Sequence, residues 1–133
     1  MLDAACGTAP GPDVSRAAGD WVCQHAWPAV SSMVGWRAVA GSAAVVDTWS
    51  QDDAVALGRG ALGFVVVNNG DAPLAARIPT HLPAGTYCDV LAGGAPVHGG
   101  RCPASAATVA AGQIAVQVPP HSAQAWDVAA RRG

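Results

Sequence analysis

The fold of this chain is decided by the stretch GRGALGFVVVNN, which occupies residues 58–69. Its centre, Phe64–Val67, is apolar at every position, a pattern typical of a strand that is covered on both faces. Gly60-Ala61 precede this run and Asn69-Gly70-Asp71 follow it, and residues of these types form turns. The stretch therefore predicts a central β-strand bounded by two tight turns.

Short strands of the same kind are predicted on both sides of this stretch. Turn residues separate them at intervals of roughly 8–12 positions, the spacing of a β-sandwich or barrel. With 133 residues, the chain has room for one such domain. The predicted strands are Val45–Ser50, Ala54–Arg59, Leu62–Asn68, Leu74–Ile78, Gly85–Val90, Thr108–Ala110, Ile114–Val118 and Gln124–Val128.

A single helix is predicted before the strands, from about Gln24 to Ala40. Apolar residues recur in it at steps of three and four, which places them in one stripe on the helix surface. Gly41 follows and is a plausible helix stop, because glycine readily takes the left-handed conformation that ends many helices. The stripe needs something to pack on, and its members are Ala26, Val30, Met33, Val34 and Ala38.

The composition excludes several classes of function. The chain is 12% charged, about half of the ~25% usual for soluble domains, which suggests a surface that is normally covered or a loop-rich β domain. Its net charge of −2 gives no reason to expect a nucleic acid or an anionic membrane as partner. It also lacks the run of about 20 apolar residues that a membrane span requires.

The four cysteines suggest an extracellular protein. None lies in a Cys-x-x-Cys motif, and their spacings do not fit a zinc site. Four cysteines allow three disulfide pairings, and the sequence alone does not choose among them. Because the N-terminus lacks the basic and apolar regions of a secretory signal, we expect the chain to derive from a longer secreted precursor. The cysteines are Cys6, Cys23, Cys88 and Cys102.

The acidic residues do not predict a catalytic site. Glycoside hydrolysis needs two carboxyl groups on either side of the scissile bond, and this chain contains Asp but no Glu. Asp52 and Asp53 are adjacent in a turn and should point apart, whereas Asp71 and Asp89 lie in a turn or at a strand end. We expect these carboxylates to be solvated.

Nucleophilic, metal and phosphate chemistry are not supported either. The chain has no Gly-x-Ser-x-Gly motif, and its histidines are far apart in sequence. The glycines of residues 58–63 resemble a nucleotide-binding fingerprint, but no helix follows them, so they indicate a hairpin. We therefore predict no catalytic and no metal-ligating residue. The histidines are His25, His81, His98 and His121, of which the last three are expected to face solvent.

Sugar binding is the remaining possibility, because aromatic rings stack on the C–H-rich faces of sugars. The chain has five Trp, and most are expected to be packing anchors. Trp49, near the Asp52-Asp53 turn, is the candidate for a surface contact, together with Tyr87.

Four blocks carry a resemblance to a known family: WVCQHAW (21–27), MVGWR (33–37), residues 58–69 and LPAGTYCDV (82–90). In this order they resemble the C-terminal region of secreted α-amylases of the animal and actinobacterial type. The resemblance implies a mainly β fold, in which an antiparallel Greek-key β-sandwich at 43–133 follows the last loop and helix of a (β/α)8 catalytic barrel at 1–42. It also implies the disulfides Cys6–Cys23 and Cys88–Cys102.

The resemblance implies an enzyme whose active site lies upstream of this chain. The family hydrolyses internal α-1,4 bonds of starch, and its acid and nucleophile, as well as its calcium and chloride ligands, lie on the barrel. The chain alone is therefore expected to be inactive, structural and free of cofactors. Its partners would be the missing barrel and starch or glycogen, and it would be secreted within the full precursor.

Three positions depart from the family pattern in the helix block, where Gln24, Ala26 and Pro28 replace an acidic and two basic residues. These changes remove charge from the helix start, so the sandwich assignment is firmer than that of the first forty residues. Two alternatives remain. One is a stand-alone starch-binding or carbohydrate-binding module. The other is a product without function, which should aggregate through its exposed helix face.

Overall fold

The computed structural model describes residues 28–92 and 100–132. These residues form one α-helix and eight strands, and each strand overlaps its predicted position with ends that differ by at most two residues. None of their helices is long and apolar enough to cross a membrane. The elements are α1 (Pro28–Ala40), β1 (Val45–Gln51), β2 (Ala54–Arg59), β3 (Gly63–Asn68), β4 (Leu74–Pro79), β5 (Gly85–Cys88), β6 (Ala106–Ala110), β7 (Gln113–Val118) and β8 (Ser122–Asp127), with short 3₁₀ turns at Val90–Ala92 and Val128–Ala130.

The strands form two antiparallel sheets that pack face to face. Sheet A has the order β1-β2-β3-β8, and sheet B has the order β4-β7-β6-β5. In sheet B, three consecutive strands are neighbours and β4 returns to lie beside β7, which is the Greek-key arrangement. The predicted antiparallel Greek-key sandwich is confirmed.

The main core lies between the two sheets and is made by alternate residues of each strand. Phe64 and Trp126 of sheet A lie in register on neighbouring strands, with ring centroids 6.5 Å apart. Tyr87, Ile78 and Ile114 face them from sheet B and, like Phe64, are fully buried. Side chains of this size supply most of the burial that holds such a sandwich together.

The prediction for the central strand is right in position and only partly right in burial. β3 does lie between β2 and β8. Phe64 and Val66 point inward and are fully buried, but Val65 is half-buried and Val67 is 41% exposed. The outer face of sheet A is therefore covered over only part of its area, which an apolar run cannot reveal.

The cover on that outer face is α1. Trp36 and Ala40 are buried in a second cluster with Ala125 of β8, and the Trp36 indole donates a hydrogen bond to the Trp126 carbonyl at 2.9 Å. The helix approaches so closely that a Cβ on Gly63 would lie 2.9 Å from the Trp36 ring. Glycine at this position is thus a condition for the helix to lie on the sheet.

Two expectations for the helix have different outcomes. Its end at Gly41 is confirmed, since Gly41 has a φ of +56° and donates to the Arg37 carbonyl at 3.0 Å. The apolar stripe, which was expected to need a surface to pack on, is not covered by the sandwich, since Val30 and Val34 are exposed and the sandwich buries Trp36 and Ala40 instead. Ala38 is also exposed, Met33 lies partly buried between the two stripes, and Ala26 and the expected start at Gln24 lie outside the described residues.

Candidate functional site

The described carboxylates do not assemble a catalytic pair. Asp52 and Asp53 are exposed in the β1–β2 turn, and Asp71 is exposed beside His121, whose Nε2 lies 2.8 Å from its Oδ1. Within residues 28–92 and 100–132, no three His, Cys, Asp or Glu side chains are grouped so that they could hold a metal ion.

Asp89 is buried rather than solvated, so the expectation of a solvated strand-end residue is wrong for it. It directly follows β5, and its Oδ1 accepts hydrogen bonds from the backbone N–H groups of Leu91 at 3.0 Å and Ala125 at 3.1 Å. Burial raises the pKa of its carboxyl, and these amides together with the Ser105 hydroxyl partly offset that effect. Asp89 thereby ties the segment after β5 to β8 of the other sheet.

Asp127, at the end of β8, is also a buried carboxylate that accepts backbone hydrogen bonds. Its Oδ1 accepts hydrogen bonds from the amides of Ala129 at 2.9 Å and Ala130 at 3.0 Å and so caps the final 3₁₀ turn. Burial raises the pKa of this carboxyl too, and the two amides partly offset it. The chain then pairs with the free edge of β5, where the Arg132 amide donates to the Thr86 carbonyl at 2.8 Å. The last residues thus join the two sheets and cover an edge strand.

The described histidines lie in exposed loops, as expected. His81 is bound by Asp47, whose carboxylate lies 2.8 Å from Nδ1 and accepts from the His81 backbone N–H at 2.8 Å. Asp47 lies at a β-bulge of β1 and has a φ of +55°, so the bulge aims its side chain across to the loop after β4. This contact links the two sheets and was not foreseen from the sequence. His25 and His98 lie outside the described residues.

One of the two expected disulfides is present. Cys88 and Cys102 are bonded at 2.07 Å, and Cys88 is fully buried in the cluster below α1. The bond therefore fixes the long β5–β6 connection against the same layer that holds the helix. Cys6 and Cys23 lie outside the described residues, so their pairing stays a prediction.

The two proposed sugar contacts differ in their surroundings. Tyr87 is fully buried, and its hydroxyl donates to the Pro83 carbonyl at 2.6 Å, so its ring offers no face to a sugar. Trp49 is half-buried on β1 opposite Ala56 and packs against the main core, and its contact with sugar stays a prediction. Trp36 and Trp126 are packing anchors, as expected, and Trp21 and Trp27 lie outside the described residues.

An exposed apolar groove runs along α1, and we call it the α1 groove. Val34 is 66% exposed and Val30 is 41% exposed, on the side of the helix away from Trp36. The groove has a volume of about 550 Å³ and is lined by Ala29, Val30, Met33, Val34, Arg37 and Leu91. The sequence stripe located Val30, Met33 and Val34 and predicted that they need a surface to pack on.

The chain matches the family model described as "Alpha amylase, C-terminal all-beta domain" over residues 49–129. It is 45% identical over 75 residues to pancreatic α-amylase 2a5 of Mus musculus, an overlap of 56% of this chain and 15% of the relative. It is 41% identical over 98 residues to the α-amylase of Tenebrio molitor, covering 73% of this chain and 20% of that protein.

A solved structure agrees in fold as well as in sequence. Wild-type α-amylase I of Eisenia fetida superposes with a TM-score of 0.71 and 32% identity, over 87% of this chain and 25% of that one. A mutant of the same enzyme, solved in complex with maltohexaose, gives a TM-score of 0.72. The chain thus spans about a fifth of the length of the relatives that it matches.

Proposed function

The chain belongs to the family of α-amylase C-terminal all-β domains, and we propose that it is the non-catalytic, structural C-terminal part of an extracellular α-amylase. In this proposal the α1 groove packs against a catalytic barrel, and the intact enzyme hydrolyses α-1,4 bonds of starch or glycogen. The observation that carries the proposal is that α1 is apolar on two opposite faces, of which the sandwich covers one.

A helix with apolar side chains on two opposite faces gains from being covered on both of them. Here Trp36 and Ala40 are at most 5% exposed against sheet A, whereas Val34 on the other side is 66% exposed. Covering a Val side chain fully is worth about 1.5–3 kcal/mol. The helix therefore has a fixed position on the sandwich and a second face that gains free energy from a partner.

Further exposed apolar residues on the same side of the molecule support the same partner. Val55 and Val67 lie opposite each other on β2 and β3, on the outer face of sheet A, and are 54% and 41% exposed. They point to the same side of the sheet as α1, because the packed Leu57 and Val65 share their strand faces. The barrel would thus meet an apolar helix face and find further apolar surface on the sheet that carries the helix.

The chemistry of the chain favours a non-catalytic role. The chain has no Glu, and the buried Asp89 and Asp127 are occupied by backbone amides. A glycosidase needs one protonated and one ionised carboxyl group at a substrate cleft. We therefore assign hydrolysis, calcium and chloride to the upstream barrel, and to this chain the closure of one side of it. The disulfide between Cys88 and Cys102 agrees with an extracellular site of action.

The test is the size and activity of the natural product. An antibody raised against residues 43–133 should detect a secreted band several-fold larger than 13.2 kDa that hydrolyses starch. Residues 1–133 alone should show no hydrolysis above buffer. A natural band near 13.2 kDa would overturn the proposal, and so would starch hydrolysis by the chain alone.

A carbohydrate-binding module would give a different result. It would be retarded by starch in affinity electrophoresis, and the retardation would be lost on Trp49→Ala. We expect equal mobility with and without starch. Because Trp49 packs against the main core, the variant's thermal unfolding must be measured alongside, so that a loss of folding is not mistaken for a loss of binding.

A further inference from the structure

The turn after β3 contains an asparagine that is followed by glycine, Asn69-Gly70, and this asparagine is exposed. We propose that Asn69 is a site of spontaneous deamidation, and that the fold slows the reaction by holding the Gly70 nitrogen with the side chain of Asn68. This inference does not depend on the proposed function, since it concerns the chemistry of one turn.

The reaction requires only neighbouring atoms and water. The backbone nitrogen of Gly70 loses its proton and attacks Cγ of Asn69, a C–N bond forms, and the side-chain nitrogen leaves as ammonia. Water then opens the cyclic imide at either carbonyl, which leaves Asp or isoaspartate at position 69. No oxidant or cofactor takes part. Gly70 makes the attack easy in a flexible chain, because no Cβ stands beside its nitrogen.

In the folded protein, the Gly70 nitrogen is held by a hydrogen bond. The Gly70 N–H donates to Oδ1 of Asn68 at 3.0 Å. To react, the nitrogen must break this bond, lose its proton and turn toward the side chain of Asn69. The backbone N–H of Asn69 donates to the Asp53 carbonyl at 3.0 Å. This bond restrains Asn69, so its Cγ cannot easily move toward the Gly70 nitrogen.

Asn68 is itself held in place, so it can keep the Gly70 nitrogen from reacting. Its side chain is 4% exposed. Its Nδ2 donates to the carbonyls of Ala72 at 2.9 Å and Val118 at 3.2 Å, and lies 3.2 Å from that of Pro119. These bonds fix Oδ1 on the Gly70 amide. The reaction should therefore run only through local opening of the turn, and its rate should report the population of the open form.

The product would change the protein measurably. The net charge would move from −2 to −3, because a neutral amide becomes a carboxylate. The new charge would lie in a turn region that already carries Asp53 and Asp71, which line one shared hollow with Asn68. Isoaspartate would also add a backbone atom where the Asn69 amide meets Asp53.

The experiment compares the folded and the unfolded full chain at one mildly alkaline pH, with and without urea. Tryptic digestion releases the peptide from Gly60 to Arg77, and mass spectrometry follows deamidation at Asn69 over time. We expect the reaction to be at least about tenfold slower in the folded chain, equivalent to about 1.4 kcal/mol of local opening. Equal rates would overturn the proposal, and so would modification at Asn68 instead.

Two variants locate the effect. Asn68→Ala should raise the rate in the folded chain several-fold and leave the rate in urea unchanged. Gly70→Ala should slow the reaction in urea, because it adds a Cβ beside the attacking nitrogen. A folded Asn68→Ala chain that reacts as slowly as the parent would refute the role of Asn68. If this variant does not fold, hydrogen exchange of the Gly70 amide in the parent decides, since fast exchange would show that the nitrogen is not held.

Discussion

The two apolar layers of this molecule differ in how complete they are. Between the sheets, Phe64, Tyr87 and Ile114 are fully buried, and they come from both sheets. Outside sheet A, α1 buries Trp36 but leaves Val34 66% exposed. The first layer closes on itself, whereas the second closes on one side only. In the proposed function, the closed layer stabilises the sandwich, and the helix layer receives the barrel on its open side.

The largest effect should come from opening the closed layer. Phe64→Ala removes a fully buried ring that contacts Trp126, and such changes typically cost about 3–5 kcal/mol. Val67→Ala on the same strand is the matched control, and we expect it to cost less than about 1 kcal/mol because Val67 is 41% exposed. Urea unfolding of both variants measures the difference. Similar losses for the two would show that the closed layer is not the stabilising one.

A smaller effect should come from lifting α1 off sheet A. Gly63→Ala places a Cβ 2.9 Å from the Trp36 ring, and overpacking of this kind costs about 1–3 kcal/mol. Hydrogen exchange should rise in α1 while β3 and β7 keep their protection. The control is Gly35→Ala, where the added Cβ meets nothing within 4 Å and a helix gains about 0.5–1 kcal/mol. If Gly63→Ala left exchange in α1 unchanged, the close approach of the helix would not be needed.

The third effect is a pH dependence of the free energy of unfolding, caused by Asp89 where the two layers meet. Burial raises the pKa of Asp89 above its ordinary value of 3.8. Between 3.8 and the raised value, the folded chain holds a proton that the unfolded chain has released, so the free energy of unfolding falls as pH rises through this window. Asp127 titrates in the same direction.

Asp89→Asn tests this sign. It keeps a carbonyl oxygen for the amides of Leu91 and Ala125 and removes the charge. We expect the decline of stability with rising pH to become shallower, by an amount smaller than the effect of Gly63→Ala. Asp52→Asn serves as control, because Asp52 is exposed and its φ of +51° suits asparagine. A decline as steep as that of the parent would show that Asp89 does not cause it.

The sequence located the strands well because turn residues mark their ends, and β2 was predicted to the residue. Burial was harder to predict. α1 carries apolar residues on two sides, so periodicity could not tell which stripe, that of Trp36 or that of Val34, meets the sheet. The roles of Asp89 and Asp47 depend on partners 36 and 34 positions away, and no local pattern reports such contacts. Tyr87 was misjudged because the predicted strand Gly85–Val90 shows no clean alternation of apolar and polar residues, so it does not reveal which face is inward.

The smallest effect on the isolated chain should come from Val34→Asp, and this variant separates the two layers most directly. Val34 is 66% exposed, so the change should alter the stability of residues 1–133 by no more than about 0.5 kcal/mol. In a polypeptide that also carries the upstream barrel, the same change would place a charge in a covered apolar face, which costs several kcal/mol.

We therefore expect Val34→Asp to lower the temperature at which the full-length secreted enzyme loses starch-hydrolysing activity. Ala75→Asp, at an exposed position on β4 on the outer face of sheet B, should leave that temperature unchanged. Equal behaviour of the two variants in the full-length enzyme would mean that the barrel does not cover the groove, and the exposed side of α1 would then need another partner.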